Sequence, residues 1–209
     1  MYRFEGMSER YLLALLYSHK YGVEEAIDKY MIPERLFREI YDTYGSHIYD
    51  ESFRLSIIEE LLTRGVSPED IAEAIDWRDF EVMVSKYLEG YGYTTFIHYR
   101  IPGSRLEIDI LGIREEARVI MVVECKNWDK VIYKSQLERI HRSIIDKAVK
   151  LCGLDRFKGY SIAPIVVSLR HGKIKVFNNI PIIPISMLKA FLDMYPPRII
   201  VTEFYSLPC

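Results

Sequence analysis

Arg118-Val119-Ile120-Met121-Val122-Val123-Glu124-Cys125-Lys126 is an apolar run that closes on an acid and a base. Its length and β-branched content read as a core strand. Period-2 alternation places Val119, Met121, Val123 and Cys125 on one face, and Ile120, Val122, Glu124 and Lys126 on the other. Glu124 and Lys126 therefore project from one side at the end of an apolar strand, where lone charges are costly and need partners or a metal. A second strand candidate, Leu106–Ile113, precedes it across the polar link Arg114-Glu115-Glu116, and Asp109 sits among Ile108, Ile110 and Leu111. Upstream, residues 77–91 read as a helix whose stripe is Trp77, Phe80, Val84, Tyr87, Leu88 and Tyr91; Glu81 shares that face by its spacing to Trp77, Val84 and Leu88.

Outward from this centre the pattern stays mixed. Gly90 and Gly92 close the helix, and Tyr93–Arg100 is rich in strand formers. A long amphipathic helix is expected over Tyr133–Leu151, stopped by Gly153. Pro164–Ser168 and Lys173–Phe177 read as strands around a His171-Gly172 turn. Pro181 and Pro184 mark Ile180–Ile185 as an edge strand or extended segment, since proline cannot donate to a ladder. Ser186 is expected to cap a helix over Met187–Tyr195, with a β-prone tail after Pro196-Pro197. The whole is an α/β plan.

Residues 1–76 instead read as short helices: from Ser8 to about Lys20, 23–30, 33–44 with Pro33 in the first turn, one from near Glu51, and one capped by Ser67 with Pro68 at its first position. The outline is that of a helix-turn-helix or an interaction module. Its would-be reading helix offers Arg35 and Arg38 beside Glu34, Glu39 and Asp42, a poor surface for phosphates, so packing or protein contact is the better expectation.

Composition bounds the function. The 209 residues are 49% apolar and 28% charged, which excludes wholesale disorder. No apolar run reaches the ~20 residues a membrane-crossing helix needs, and Met1–Arg10 holds no signal-like apolar core, so a cytoplasmic location is expected. Three cysteines far apart argue against a disulfide framework or zinc ribbon. The net charge of −2 divides into −8 over residues 1–76 and +6 over 77–209, so a polyanion would prefer the second part.

Taken singly, an acid in a strand or a Glu-x-Lys tripeptide is ordinary surface or a local ion pair. Glu81, Asp109, Glu124 and Lys126 on successive helix, strand and strand form a set. Carboxylates with a carbonyl are hard oxygen ligands that suit Mg²⁺, and a neighbouring lysine can orient water or offset charge on a phosphorane. That chemistry is metal-assisted phosphodiester hydrolysis.

On these residues the chain resembles the PD-(D/E)XK nuclease superfamily, in particular archaeal restriction-endonuclease-like proteins related to Mrr and to Holliday-junction resolvases. The resemblance rests on Trp77-Arg78-Asp79-Phe80-Glu81, Glu107-Ile108-Asp109-Ile110-Leu111, Val122-Val123-Glu124-Cys125-Lys126-Asn127-Trp128 and the helical Gln136, although Ile140 stands where the family usually has tyrosine. It implies a restriction-endonuclease-like core, a central mixed sheet flanked by helices, over 77–209, preceded by a small all-helical domain over 1–76. By this likeness Asp109, Glu124 and the main-chain carbonyl of Cys125 bind Mg²⁺, with Mn²⁺ able to substitute. Lys126 positions the attacking water, Glu81 holds a metal-bound water or a second ion, and Gln136 steadies the site or touches DNA. Lys130, Lys134, Arg139 and Arg142 lie near the phosphates. The expectation is a DNA endonuclease, with homodimerisation admitted by the likeness to resolvases; a non-catalytic DNA-binding protein and an interaction protein dimerising through residues 1–76 are the alternatives.

Overall fold

A computed structural model describes residues 4–126, 133–169 and 173–209. The chain forms two compact units, Met1–Met83 and Val84–Cys209, and the division falls inside a helix, whereas the resemblance begins its second domain at residue 77. No helix among the described residues is long and apolar enough to cross a membrane.

The first unit is helical: α1 (Glu9–Tyr21), α2 (Val23–Tyr30), α3 (Glu34–Tyr44), α4 (Glu51–Thr63), α5 (Pro68–Ala74) and the start of α6 (Trp77–Gly90). Leu12, Leu15, Leu16, Phe37, Phe53, Ile57, Leu61 and Ile71 are fully buried in it. Three caps use side chains: Asp50 accepts from the Ser52 amide at 3.0 Å, Ser67 from the Asp70 amide at 3.1 Å and Asp76, before α6, from the Asp79 amide at 2.9 Å. Ser8 precedes α1 without making such a bond, and Pro33 stands before the first residue of α3 rather than within it. The arginines of α3 are paired as their neighbours suggest, Arg35 with Glu39 and Arg38 with Glu34 and Glu24.

The second unit is built on a mixed seven-stranded sheet flanked by helices. Its strands are β1 (Thr94–Arg100), β2 (Glu107–Arg114), β3 (Val119–Lys126), β4 (Ser161–Ser168), β5 (Lys175–Phe177), β6 (Ile180–Pro184) and β7 (Leu207–Pro208). Their order is β1-β2-β3-β4-β6-β5, with β7 pairing β4. β1, β2 and β3 form an antiparallel meander; β3, β4 and β6 run parallel. The parallel step from β3 to β4 requires a crossover, which α7 (Lys134–Cys152) supplies. Ile140, Ile144, Ala148 and Leu151 of α7 join Leu111, Ile120, Val122, Ile162 and Val166 in one core, so α7 covers the face that also carries Glu124 and Lys126.

Three expectations are corrected. β6 is not an edge strand: it lies between β4 and β5 and is buried throughout. Its prolines are tolerated because each ladder is short, Ile182–Pro184 against β4 and Ile180–Ile182 against β5. After α8 (Ile185–Met194), which starts before Ser186, the tail is mainly a helix, α9 (Pro197–Glu203). Pro197 presets its first turn and buried Ile200 anchors it, overriding β propensity. Cys152 and Cys209 form a disulfide with Cα atoms 5.2 Å apart, although they stand 57 positions apart in the sequence. β7 brings the chain end back to β4 beside the end of α7, a juxtaposition that sequence spacing conceals; Cys125 is buried and takes no part in that bond.

Candidate active site

β3 is buried from Val119 to Cys125, and its charged end is ordered by what lies across and above it. The register pairs Leu111 with Val122 and Ile110 with Val123. Continued by one step, it sets Asp109 across from Glu124 on the face beneath α7. The Cys125 amide donates to Asp109 Oδ2 at 2.8 Å, which orients that carboxylate. Glu124 is gripped from two sides, Oε1 lying 2.7 Å from Lys126 Nζ and Oε2 lying 2.5 Å from Lys147 Nζ. The same Lys147 nitrogen is 3.8 Å from Asp109 Oδ1. One ammonium thus bridges both carboxylates.

The electrostatics of the two acids differ in sign. Burial, and then the charge of Glu124, pushes the Asp109 carboxyl above its ordinary value despite Lys147 and Lys126. Burial works on Glu124 in the same direction, but the combined pull of Lys126 and Lys147 outweighs it and holds this carboxyl below the usual range. Beside the cluster opens a pocket of about 270 Å³ lined by Glu124, Lys126, Gln136, Arg139, Ile140 and Ser143. Its walls are the end of β3 and the first turns of α7. Carboxylates, a lysine and an open cavity thus meet at one strand end.

Residues 76–171 match the family model of the nuclease-related domain, NERD. This family is part of the PD-(D/E)XK-like nuclease superfamily, and the match names neither the Mrr nor the junction-resolvase relatives that the sequence resembles. Comparison with curated proteins gives no match, and comparison with solved structures gives none either.

Within the matched segment the anticipated residues divide. Asp109, Glu124 and Lys126 come together; Gln136 and Arg139 line the adjoining pocket. Gln136 also closes the start of α7, its Oε1 accepting from the Tyr133 amide at 3.0 Å. Lys134 and Arg142 are exposed on α7 and turned toward Glu138, outside the pocket lining. Lys130, with Asn127 and Trp128, lies outside the described residues. Glu81 is buried on α6 within the first unit. Lys147 escapes notice in the sequence as one of many lysines, yet it falls on the apolar stripe between Ile144 and Leu151. The spacing that singles out Glu81 singles out Lys147 equally.

The first unit holds a second polar cluster, in which ligand-capable atoms of His19, Asp76 and Asp79 lie within 4.8 Å of one another. Here Arg54 already supplies the cation. Its Nε and Nη2 donate to Asp79 Oδ2 and Oδ1 at 2.7 and 3.1 Å, and its Nη1 to the Ile48 carbonyl at 2.9 Å. Asp76 Oδ1 accepts from the Asp79 amide at 2.9 Å. Burial and the Arg54 charge hold the His19 imidazole below its ordinary value.

Proposed function

We propose that the protein is a metal-dependent DNA endonuclease working at the end of β3. The observation that carries this reading is the convergence of Asp109, Glu124 and Lys126 beside an open pocket within the segment that matches the nuclease-related domain. The donor set supports a hard divalent ion, because two carboxylates on facing strand positions both reach one cation, and the main-chain carbonyl of Cys125 lies between Glu124 and Lys126 in sequence. Asp109, Glu124 and that carbonyl would hold Mg²⁺ or Mn²⁺, which supplies Lewis-acid polarisation of a phosphoryl oxygen when bound.

The chain's own groups do the rest. Lys126, held against Glu124 Oε1, is positioned to orient the attacking water and offset charge building on the phosphate oxygens. Arg139 at the pocket wall, with Lys134 at the start of α7 and Arg142 beyond it, gives the DNA backbone sequence-independent contacts, consistent with the net +6 of residues 77–209. Lys130 is assigned the same role from sequence. Glu81 stands outside this reading, which rests on the second unit alone.

The test is cleavage of plasmid, junction and flap DNA with Mg²⁺ or Mn²⁺. Wild type should cut at least one of them, and Asp109→Ala and Lys126→Ala should each lose at least about a hundredfold in rate. Equal inactivity of wild type and Asp109→Ala on every substrate would sink the reading. One observation favours a second reading, a DNA-binding protein that does not cut: Lys147 already bridges both carboxylates. That reading expects salt-dependent DNA binding without cleavage and unchanged binding by Lys126→Ala.

A further inference from the structure

We propose that the Lys147 ammonium is an exchangeable internal counter-ion, which holds Asp109 and Glu124 together and must be expelled before a divalent ion can enter, so that Lys147 sets the metal affinity of the site. The inference rests on the metal-site reading above and adds to it a residue and a competition. Two lysines serve Glu124, and they are not equivalent. Lys126 engages Oε1 alone. Lys147 engages Oε2 and also approaches Asp109 Oδ1, so among the described residues it is this nitrogen that occupies the ground between the acids where a shared ion would sit. Two positive charges cannot share that ground, because like charges at ligand distance inside a buried site repel strongly.

The helix also supplies an exit. Lys147 is the core-facing member of its turn, with Ser143 one turn earlier on the same side of α7. Side chains on a helix lean toward its N-terminus, so the flexible four-carbon stem can carry the ammonium toward Ser143 and the adjoining pocket. That pocket, about 270 Å³, has room for the displaced amine. Lys126 stays on Oε1 through the exchange, so Glu124 retains a partner.

The experiment measures Mn²⁺ binding to the full chain without DNA, reading free Mn²⁺ by electron paramagnetic resonance. Lys147→Met and Lys147→Gln should each bind at least about tenfold more tightly than wild type, and Asp109→Asn should lose the site. Equal or weaker binding by both Lys147 variants overturns the exchange while leaving the metal-site reading intact. Absence of binding in wild type and all variants overturns both. A second measurement needs no variant: brief acylation of wild-type amines, mapped by peptide. Lys147 should be protected in chelator and several-fold more reactive in saturating Mn²⁺; unchanged reactivity with Mn²⁺ bound overturns the proposal.

Discussion

Two buried charge clusters, one in each unit, use similar residues to opposite ends. In the first, Arg54 meets Asp79 with a planar fork, and the remaining guanidinium donor and the Asp79 amide are satisfied by Ile48 and Asp76. Asp79 is wholly buried. In the second, compact ammonium groups face two carboxylates, one acid is held down and the other pushed up, and a cavity opens alongside. The fork and its complete set of partners make a closed structural joint. Point charges on flexible stems, with an acid left under strain, make a site that can change its occupant.

The largest expected effect breaks the closed cluster. Arg54→Met strands Asp79 without a counter-charge and should cost about 3–5 kcal/mol in denaturant unfolding. Adding Asp79→Leu should recover much of it, since an apolar pair replaces a buried ion pair at little cost. If the single variant is no less stable than wild type, Arg54 is not the structural partner described.

Within the open cluster the two acids should respond with opposite signs. Glu124→Gln leaves Lys147 and Lys126 facing no carboxylate at that position and should cost about 3 kcal/mol at pH 7 in chelator. Asp109→Asn removes a charge that folding disfavours, keeps an oxygen for the Cys125 amide, and should leave stability equal or slightly raised, while abolishing any cleavage. Parallel losses in the two variants would show that Asp109 is structural after all.

Much of this was legible in residues 77–169 and less outside them. Asp109, Glu124 and Lys126 stand out because a charge in an apolar strand is costly, and that argument depends only on neighbours in sequence. β2, β3 and α7 begin and end within two residues of their sequence-based bounds. Lys147 was equally legible by helical spacing but hidden by composition, being one basic residue among many on a charged helix. The internal position of β6, the helix α9 and the Cys152–Cys209 bond depend on which strands lie side by side, and no local pattern encodes that. Propensity in Arg198–Glu203 points to strand; the burial of Ile200 decides for helix.

The smallest expected effect concerns pH and the closed cluster. His19 titrates below its ordinary value of 6.5 when folded, so its neutral form is the one folding favours. Its contribution is present above pH 6.5 and is lost as pH falls through the folded value. A His19→Gln variant should flatten that part of the stability profile; an unchanged slope would remove His19 from the account.

The placement of Lys147 makes the phase of α7 part of the chemistry. A single residue inserted between Ser143 and Lys147 would rotate everything beyond it by about 100° and swing the amine out of line with the two acids. The same insertion beyond Lys147 would spare the amine and instead misalign Ala148 and Leu151 with the sheet. Helical turn, more than residue identity alone, decides whether this lysine is a solvated charge or the keeper of the carboxylates.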